Sequence, residues 1–243
     1  MGWFNDQIHD RRILDDEALE NAFADVVSAV LGKKAAGTSN DDRRVVQDAV
    51  GEILEYFHLS AGEIPDSITY SGNGEPTLHP EFGPITDGLI QLRDKYFPKA
   101  IISCLSNSTQ LHRADVVRAL RRIENPLMKL DAGTQDTFRR MNQPFVDLDV
   151  ETVTQQLEQF EGKLTVQTMM LKGELDDGSW IDNTTGEEVS AWLERIRRIH
   201  PHTVMLYPID RETPANKLIK LGTDVLEPIA DKVREMGIET KVY

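Results

Sequence analysis

Ile68-Thr69-Tyr70-Ser71-Gly72-Asn73-Gly74-Glu75-Pro76-Thr77-Leu78-His79-Pro80 is the stretch whose reading decides the fold. It reads as a short buried strand, then a tight polar turn, then a helix that opens near Glu81. Gly72 and Gly74 permit positive φ and let a ligand approach the main chain without a Cβ in the way. Glu75 then falls at the C-terminal mouth of the strand, where α/β proteins bind ligands on loops held by a rigid sheet. Pro76 pushes Glu75 toward an extended conformation, which predicts a carboxylate presented outward instead of folded into the helix.

Downstream of this stretch helices and strands alternate. The pattern predicts a helix over 82–96, a strand over 100–105, a helix over 113–122 and a strand over 127–131. A helix over 150–160 and a strand over 164–171 follow, with Lys172 and Gly173 forming a turn. Thr185 and Glu188 read as a capping box for a helix that carries Val189, Trp192, Leu193, Ile196 and Ile199 on one face. A strand over 203–207 and a helix over 228–236, stopped by Gly237, complete the alternation, and 238–242 reads as a short strand or an ordered tail. Upstream, residues 1–13 read as a loop. Leu19, Phe23, Val26, Val27 and Val30 mark one helix, and Val45 to Phe57 a second. Five strands alternating with helices predict parallel βαβ units with right-handed crossovers in one α/β domain spanning 1–243.

Composition narrows the function classes. The 243 residues carry 41 acidic and 27 basic side chains, a formal charge of −14, and a field of that sign disfavours broad binding to phosphate backbones. Arg118, Arg121, Arg122 and Arg195, Arg197, Arg198 read as solvated helix faces. No apolar run approaches the length of a membrane span, so no membrane partner is expected. The one cysteine, Cys104, lies within an apolar strand and suits a reducing cytoplasm. His79, His200 and His202 lack acidic or thiol partners at ligand spacing, so no metal site is expected from them. No nucleophile elbow, Walker or dinucleotide fingerprint occurs.

The Gly-Asn-Gly-Glu-Pro-Thr-Leu-His-Pro segment resembles the Gly-Gly-Glu-Pro segment of radical S-adenosylmethionine (SAM) enzymes. Lys129-Leu130-Asp131-Ala132-Gly133, with Thr137-Phe138 and Asn142-Gln143-Pro144, is similar to a later segment of one radical SAM subfamily. The resemblance is specific over 67–144 and looser to about Arg211. It implies a partial (βα)6 TIM-like barrel of parallel strands, here lacking its first strand, which would leave the strand over 67–71 at an edge open to self-association. It also implies SAM as a ligand and a [4Fe-4S] cluster whose electron cleaves SAM to a 5′-deoxyadenosyl radical. The family's Cys-x3-Cys-x2-Cys motif is absent, and one cysteine cannot replace three, so this chain does not ligate the cluster. The sequence reads as truncated ahead of Met1 or as a natural cluster-less relative, and as inactive in radical chemistry by itself.

The candidate SAM-binding residues follow from the resemblance, each beside a plainer reading. Gly72, Asn73, Gly74 and Glu75 would hold the methionine amino group, although Glu75 also suits a helix-entry acid. Asn107 offers a donor and an acceptor, or simply makes a turn. Asp131 would receive ribose hydroxyls and Lys129 would approach the ligand carboxylate, or the two form a surface ion pair. Gln167 is a polar contact if its strand face points inward, with Met169 and Leu171 on that face. Tyr207 and Arg211 mark a strand exit where substrate or adenine contacts occur in the family. Two other readings stay open: a cluster-less SAM or nucleotide module, and an unrelated lyase or isomerase using Glu75, Lys129 and Asp131 for acid–base work. The substrate and the catalytic residues are not legible.

Overall fold

A computed structural model describes residues 65–70, 74–145, 147–209 and 217–243. The two helices expected before residue 58, together with Gly72, Asn73 and Arg211, lie outside the described residues. The elements run in the order β1 (Ser67–Tyr70), a 3-10 turn (Pro76–Leu78), α1 (Phe82–Tyr96), β2 (Ile101–Ser106), α2 (Ala114–Leu120), β3 (Asn125–Lys129) and α3 (Gln135–Asn142). They continue with α4 (Val150–Glu158), β4 (Thr165–Met170), β5 (Lys172–Glu174), β6 (Trp180–Asp182), α5 (Gly186–Ile199), β7 (Thr203–Pro208), β8 (Lys217–Ile219), α6 (Thr223–Arg234) and β9 (Glu239–Val242).

Six of the strands form one sheet in the order β1-β2-β3-β4-β7-β9, and β6-β5-β8 form a small second sheet. The pairings β3/β4, β4/β7 and β7/β9 are parallel, as the helical crossovers between them require. The expected α/β class with a parallel sheet is therefore present, and β9 is the strand of the two readings left open for 238–242. Several bounds shift by one or two residues, α3 is a helix that the sequence reading did not contain, and three differences have a visible cause. β3 ends at Lys129 instead of 131, because Leu130 N bonds Gln167 O as the last rung and Asp131 turns its side chain back onto β4. α6 begins at Thr223 and carries Pro228 inside it, so that proline does not mark the helix start. Lys172 and Gly173 are not a turn but belong to β5, antiparallel to both β6 and β8. Gly173 is required there: its φ is +146°, and a Cβ would lie 2.7 Å from Leu218 Cα.

The chain is built as two compact units, one of Met1–Ser103 with Arg122–Glu124, the other of Cys104–Arg121 with Asn125–Tyr243. In the first, Phe97 and Ala100 are buried with Ile68, Leu92 and Tyr96 packed against them. Buried Arg93 donates to Ala100 O at 2.7 Å and pairs with Glu124 at 3.0 Å, and Glu124 accepts Ile102 N at 2.8 Å. The bond to Glu124 raises the Arg93 pKa above the usual arginine value.

In the second unit, Cα partners in register put Met128, Val166 and Val204 on one sheet face and Lys129, Gln167 and Met205 on the other. The first face is the core: Met128, Val166, Thr168, Met170, Val204 and Leu206 are all buried, and buried Trp192 of α5 donates from its ring to Leu130 O at 3.2 Å. The other face is wetter, with Lys129, Met169, Met205 and Tyr207 only half-buried. Among the described residues no helix is long and apolar enough to cross a membrane.

Candidate functional site

In the first unit, Glu75 is extended, with φ −100° and ψ 113°, as the following proline demands. Its carboxylate is not presented outward, however. Oε1 accepts Thr77 N at 3.1 Å and also the Thr77 hydroxyl, so Glu75 caps the 3-10 turn that Pro76 opens. Gly74 has φ +119°, and no described residue lies within 4 Å of where a Cβ would sit. His79 shapes the helix entry, its Nδ1 accepting Glu81 N at 3.1 Å.

In the second unit, Asn107 makes the plainer of its two structures: its side-chain oxygen accepts Thr109 N at 3.0 Å and Thr109 Oγ1 at 2.7 Å. The stronger constellation lies where β3 and β4 end. Asp131 is only 3% exposed, and Oδ1 accepts Met169 N at 2.8 Å while Oδ2 accepts Lys129 Nζ at 3.1 Å and Asn142 Nδ2 at 3.3 Å. The pair with Lys129 is thus not the surface pair of the plainer reading, since the acid is buried and the lysine side chain is only 33% exposed. With three donors already on it, Asp131 has its lone pairs largely committed to protein.

Electrostatics make Lys129 a fixed cation. The Asp131 charge raises its pKa well above the ordinary lysine value, and burial opposes that only in part. Tyr207 is also pushed up, by burial first and then by the Asp131 charge, with Lys129 opposing, so its phenol stays neutral and able to donate. Two residues beside this pair have bonding capacity to spare. Gln167 is the register partner of Lys129, is 6% exposed, and its amide makes no hydrogen bond within the described residues. Tyr207, register partner of Met169 on the same face, likewise leaves its hydroxyl without a partner there. The structure therefore brings Lys129, Asp131 and Gln167 together and adds Tyr207, which the sequence placed only at a strand exit.

Sequence reasoning missed what holds these side chains. Thr185 does cap α5, accepting Glu188 N at 3.3 Å, but the Glu188 carboxylate does not return to the cap. It reaches 55 residues back, accepting Gly133 N at 2.5 Å and Thr134 N at 3.0 Å. Arg195 donates to Gly133 O at 2.6 Å, Thr168 to Leu130 O at 2.8 Å, Ser108 to Lys129 O at 2.9 Å, and Asn183 to Asp131 O at 2.9 Å. The only sequence signal for this grip is the spacing of Glu188, Trp192 and Arg195, which puts all three on one helix face.

The described residues hold no group of three or more His, Cys, Asp or Glu side chains able to bind a metal ion. Cys104, the one thiol, is fully buried in β2. A cluster that needs three thiolates does not fit the residues of this chain.

Comparison with known proteins agrees with this architecture. No family model matches the chain. It is 30% identical over 196 residues to a UPF0026 protein of Synechocystis sp. strain PCC 6803, covering 79% of this chain and 68% of that protein. Among solved structures, a domain of pyruvate-formate lyase-activating enzyme from Bacteroides vulgatus superposes with TM-score 0.53 at 18% identity, over 72% of this chain and 98% of that one. A radical SAM methyltransferase from Sphaerobacter thermophilus gives TM-score 0.55 at 16% identity, over 83% of this chain and 57% of that one. At these identities the likeness is one of fold, shared with these two solved structures.

Proposed function

The chain belongs to the UPF0026 family, and from that premise we propose that it is the SAM-binding part of a radical SAM protein. The observation that carries the reading is the row of Lys129 and Gln167 across β3 and β4, a fixed cation beside a buried amide with open bonding capacity, on a sheet of radical SAM fold. Lys129 supplies charge for the ligand carboxylate, and Gln167 supplies a donor and an acceptor for a hydroxyl or base edge. Asp131 serves the ligand through Lys129, whose ammonium it holds. Gly72, Asn73, Gly74, Glu75 and Asn107 are the other residues that the sequence resemblance assigns to SAM.

In the family a [4Fe-4S] cluster supplies the electron that cleaves the sulfonium. The thiolates for it are not among these residues, so the activity proposed for this chain is binding, and no chemical step is derived through the cluster. A single buried cysteine also favours a reducing, cytoplasmic setting. Calorimetric titration of the purified chain with SAM tests the proposal. Binding is expected in the wild type and about tenfold weaker in Gln167→Leu, which keeps the volume and removes the amide. Absence of SAM binding by a folded wild-type chain ends this reading.

A further inference from the structure

The grip on residues 129–134 is unusual for a loop. Its carbonyls and amides are taken by side chains of Ser108, Thr168, Asn183, Glu188, Trp192 and Arg195, drawn from four separate parts of the second unit. Of these only Glu188 brings a full negative charge to the segment, and it does so at 4% exposure with one oxygen on two successive main-chain N–H groups. A buried carboxylate is costly to desolvate, and its two charge-assisted bonds are what compensate it. Gly133 closes the contact: a Cβ there would lie 2.9 Å from Ala191 C and closer still to Trp192 N and Glu188 O, so the segment lies directly on the α5 backbone.

We propose that Glu188 is a positioning residue for the ligand-binding face: by fixing the Gly133–Thr134 amides against α5 it holds the Asp131 carboxylate where that carboxylate holds Lys129. The chain of contacts is continuous. Glu188 anchors Gly133 and Thr134, two residues away Asp131 bonds Met169 N, and the second oxygen of Asp131 takes Lys129 Nζ. Asn183 reinforces the far side by donating to both Asp131 O and Met169 O and accepting Leu171 N at 2.8 Å. Loss of the Glu188 anchor lets the segment shift against β4, and an ion pair set at hydrogen-bond distance is sensitive to a shift of that kind. The inference rests on the SAM reading for its meaning, not for its test.

Two measurements on the full chain decide it. Competitive acetylation of lysines at pH 8, read by mass spectrometry, reports how firmly Lys129 is held as a protonated, paired ammonium. SAM titration reports the ligand face. In Glu188→Asp, one methylene too short to reach both amides, Lys129 is expected to label about tenfold faster, corresponding to a one-unit fall in its pKa, and SAM to bind about tenfold more weakly. Glu188→Gln keeps an acceptor oxygen at full reach and is expected to hold both readouts near the wild-type values. A role confined to stability would lower the melting temperature in both variants and leave Lys129 labelling unchanged. That unchanged labelling in folded Glu188→Asp overturns the proposal. If the wild-type chain binds no SAM, the SAM reading falls alone, because Lys129 labelling still tests the role of Glu188.

Discussion

Replacement of Gly133 by alanine is the sharpest stability test the structure offers. The added methyl would overlap the α5 backbone at Trp192 N, Glu188 O and Ala191 C, and none of these is the movable end of a side chain. Relief requires segment and helix to part by roughly 1 Å, and such overpacking costs about 1–3 kcal/mol. The same parting stretches the bonds from Gly133 N and Thr134 N to Glu188, where each bond to a charged group is worth about 1.5–3 kcal/mol and only part of each is lost. The expected destabilisation is about 4 kcal/mol, a large share of the roughly 5–15 kcal/mol that holds a typical domain. Gly186→Ala is the control, since that glycine opens α5 with empty space around it, and it should change stability by less than about 0.5 kcal/mol. Urea unfolding followed by circular dichroism and by tryptophan fluorescence gives both values, with the slope checked for two-state behaviour. The reasoning fails if Gly133→Ala and Gly186→Ala unfold at the same urea concentration.

Asp131→Asn keeps an acceptor for Met169 N but removes the charge that holds Lys129, and is expected to cost about 2–4 kcal/mol by leaving a partly buried cation uncompensated. Urea unfolding checks it, and a loss below about 1 kcal/mol would show that solvent already screens the pair. On the outer surface, Arg198 and then Arg195 hold the Glu151 carboxyl at about 2, below its unfolded value. That depressed carboxylate stabilises the fold above the unfolded pKa near 4.3, and its contribution disappears as the pH falls toward 2. With Glu151 nearly half exposed, solvent screening limits the effect to about 0.5–1 kcal/mol. Wild type and Glu151→Gln should therefore differ in urea midpoint at pH 6 and converge near pH 2. Glu75→Ala removes the cap of the 3-10 turn and should cost about 1 kcal/mol in thermal or urea unfolding even without ligand. A neutral result there would mean that the carboxylate is not engaged by Thr77.

Periodicity located most helices and strands after residue 66, because each buries one face and the apolar spacing records which, but it missed α3, which buries only Thr137 and Phe138 and so shows no period. The bounds of α1 follow directly from that spacing. β5, β6 and β8 escaped because three-residue strands are too short to show alternation, and Lys172-Gly173 has the composition of a turn until Gly173 is seen pressed on β8. α6 escaped at its start because proline is most common in a helix's first turn, and Pro228 occurs further in. For the site, Asp131 was legible as a strand-end acid, Lys129 as its neighbour one pleat back, Gln167 as a polar residue on one face of its strand, and Tyr207 only as a strand exit. Their relation was not, since register between β3, β4 and β7 is set by long-range pairing and no local pattern encodes it.

Glu188 shows why local motifs mislead at such places. Thr185 and Glu188 have the capping-box spacing, and the threonine half forms, since a hydroxyl on the cap residue has only the near amides within reach. The glutamate half depends on competition. Returning to the cap would satisfy an amide that water can satisfy as well, whereas Gly133 and Thr134 lie against α5 and would otherwise lose their hydrogen bonds on folding. The buried pair of amides wins because an unsatisfied donor there costs more than an exposed one at the helix end. The same competition explains Asp131, whose carboxylate is drawn from a prospective ligand to Met169 N, Asn142 and Lys129. What remains for a ligand on this face is set by the groups with no partner among the described residues, the Gln167 amide and the Tyr207 hydroxyl, together with the N–H bonds of Lys129 that Asp131 does not take.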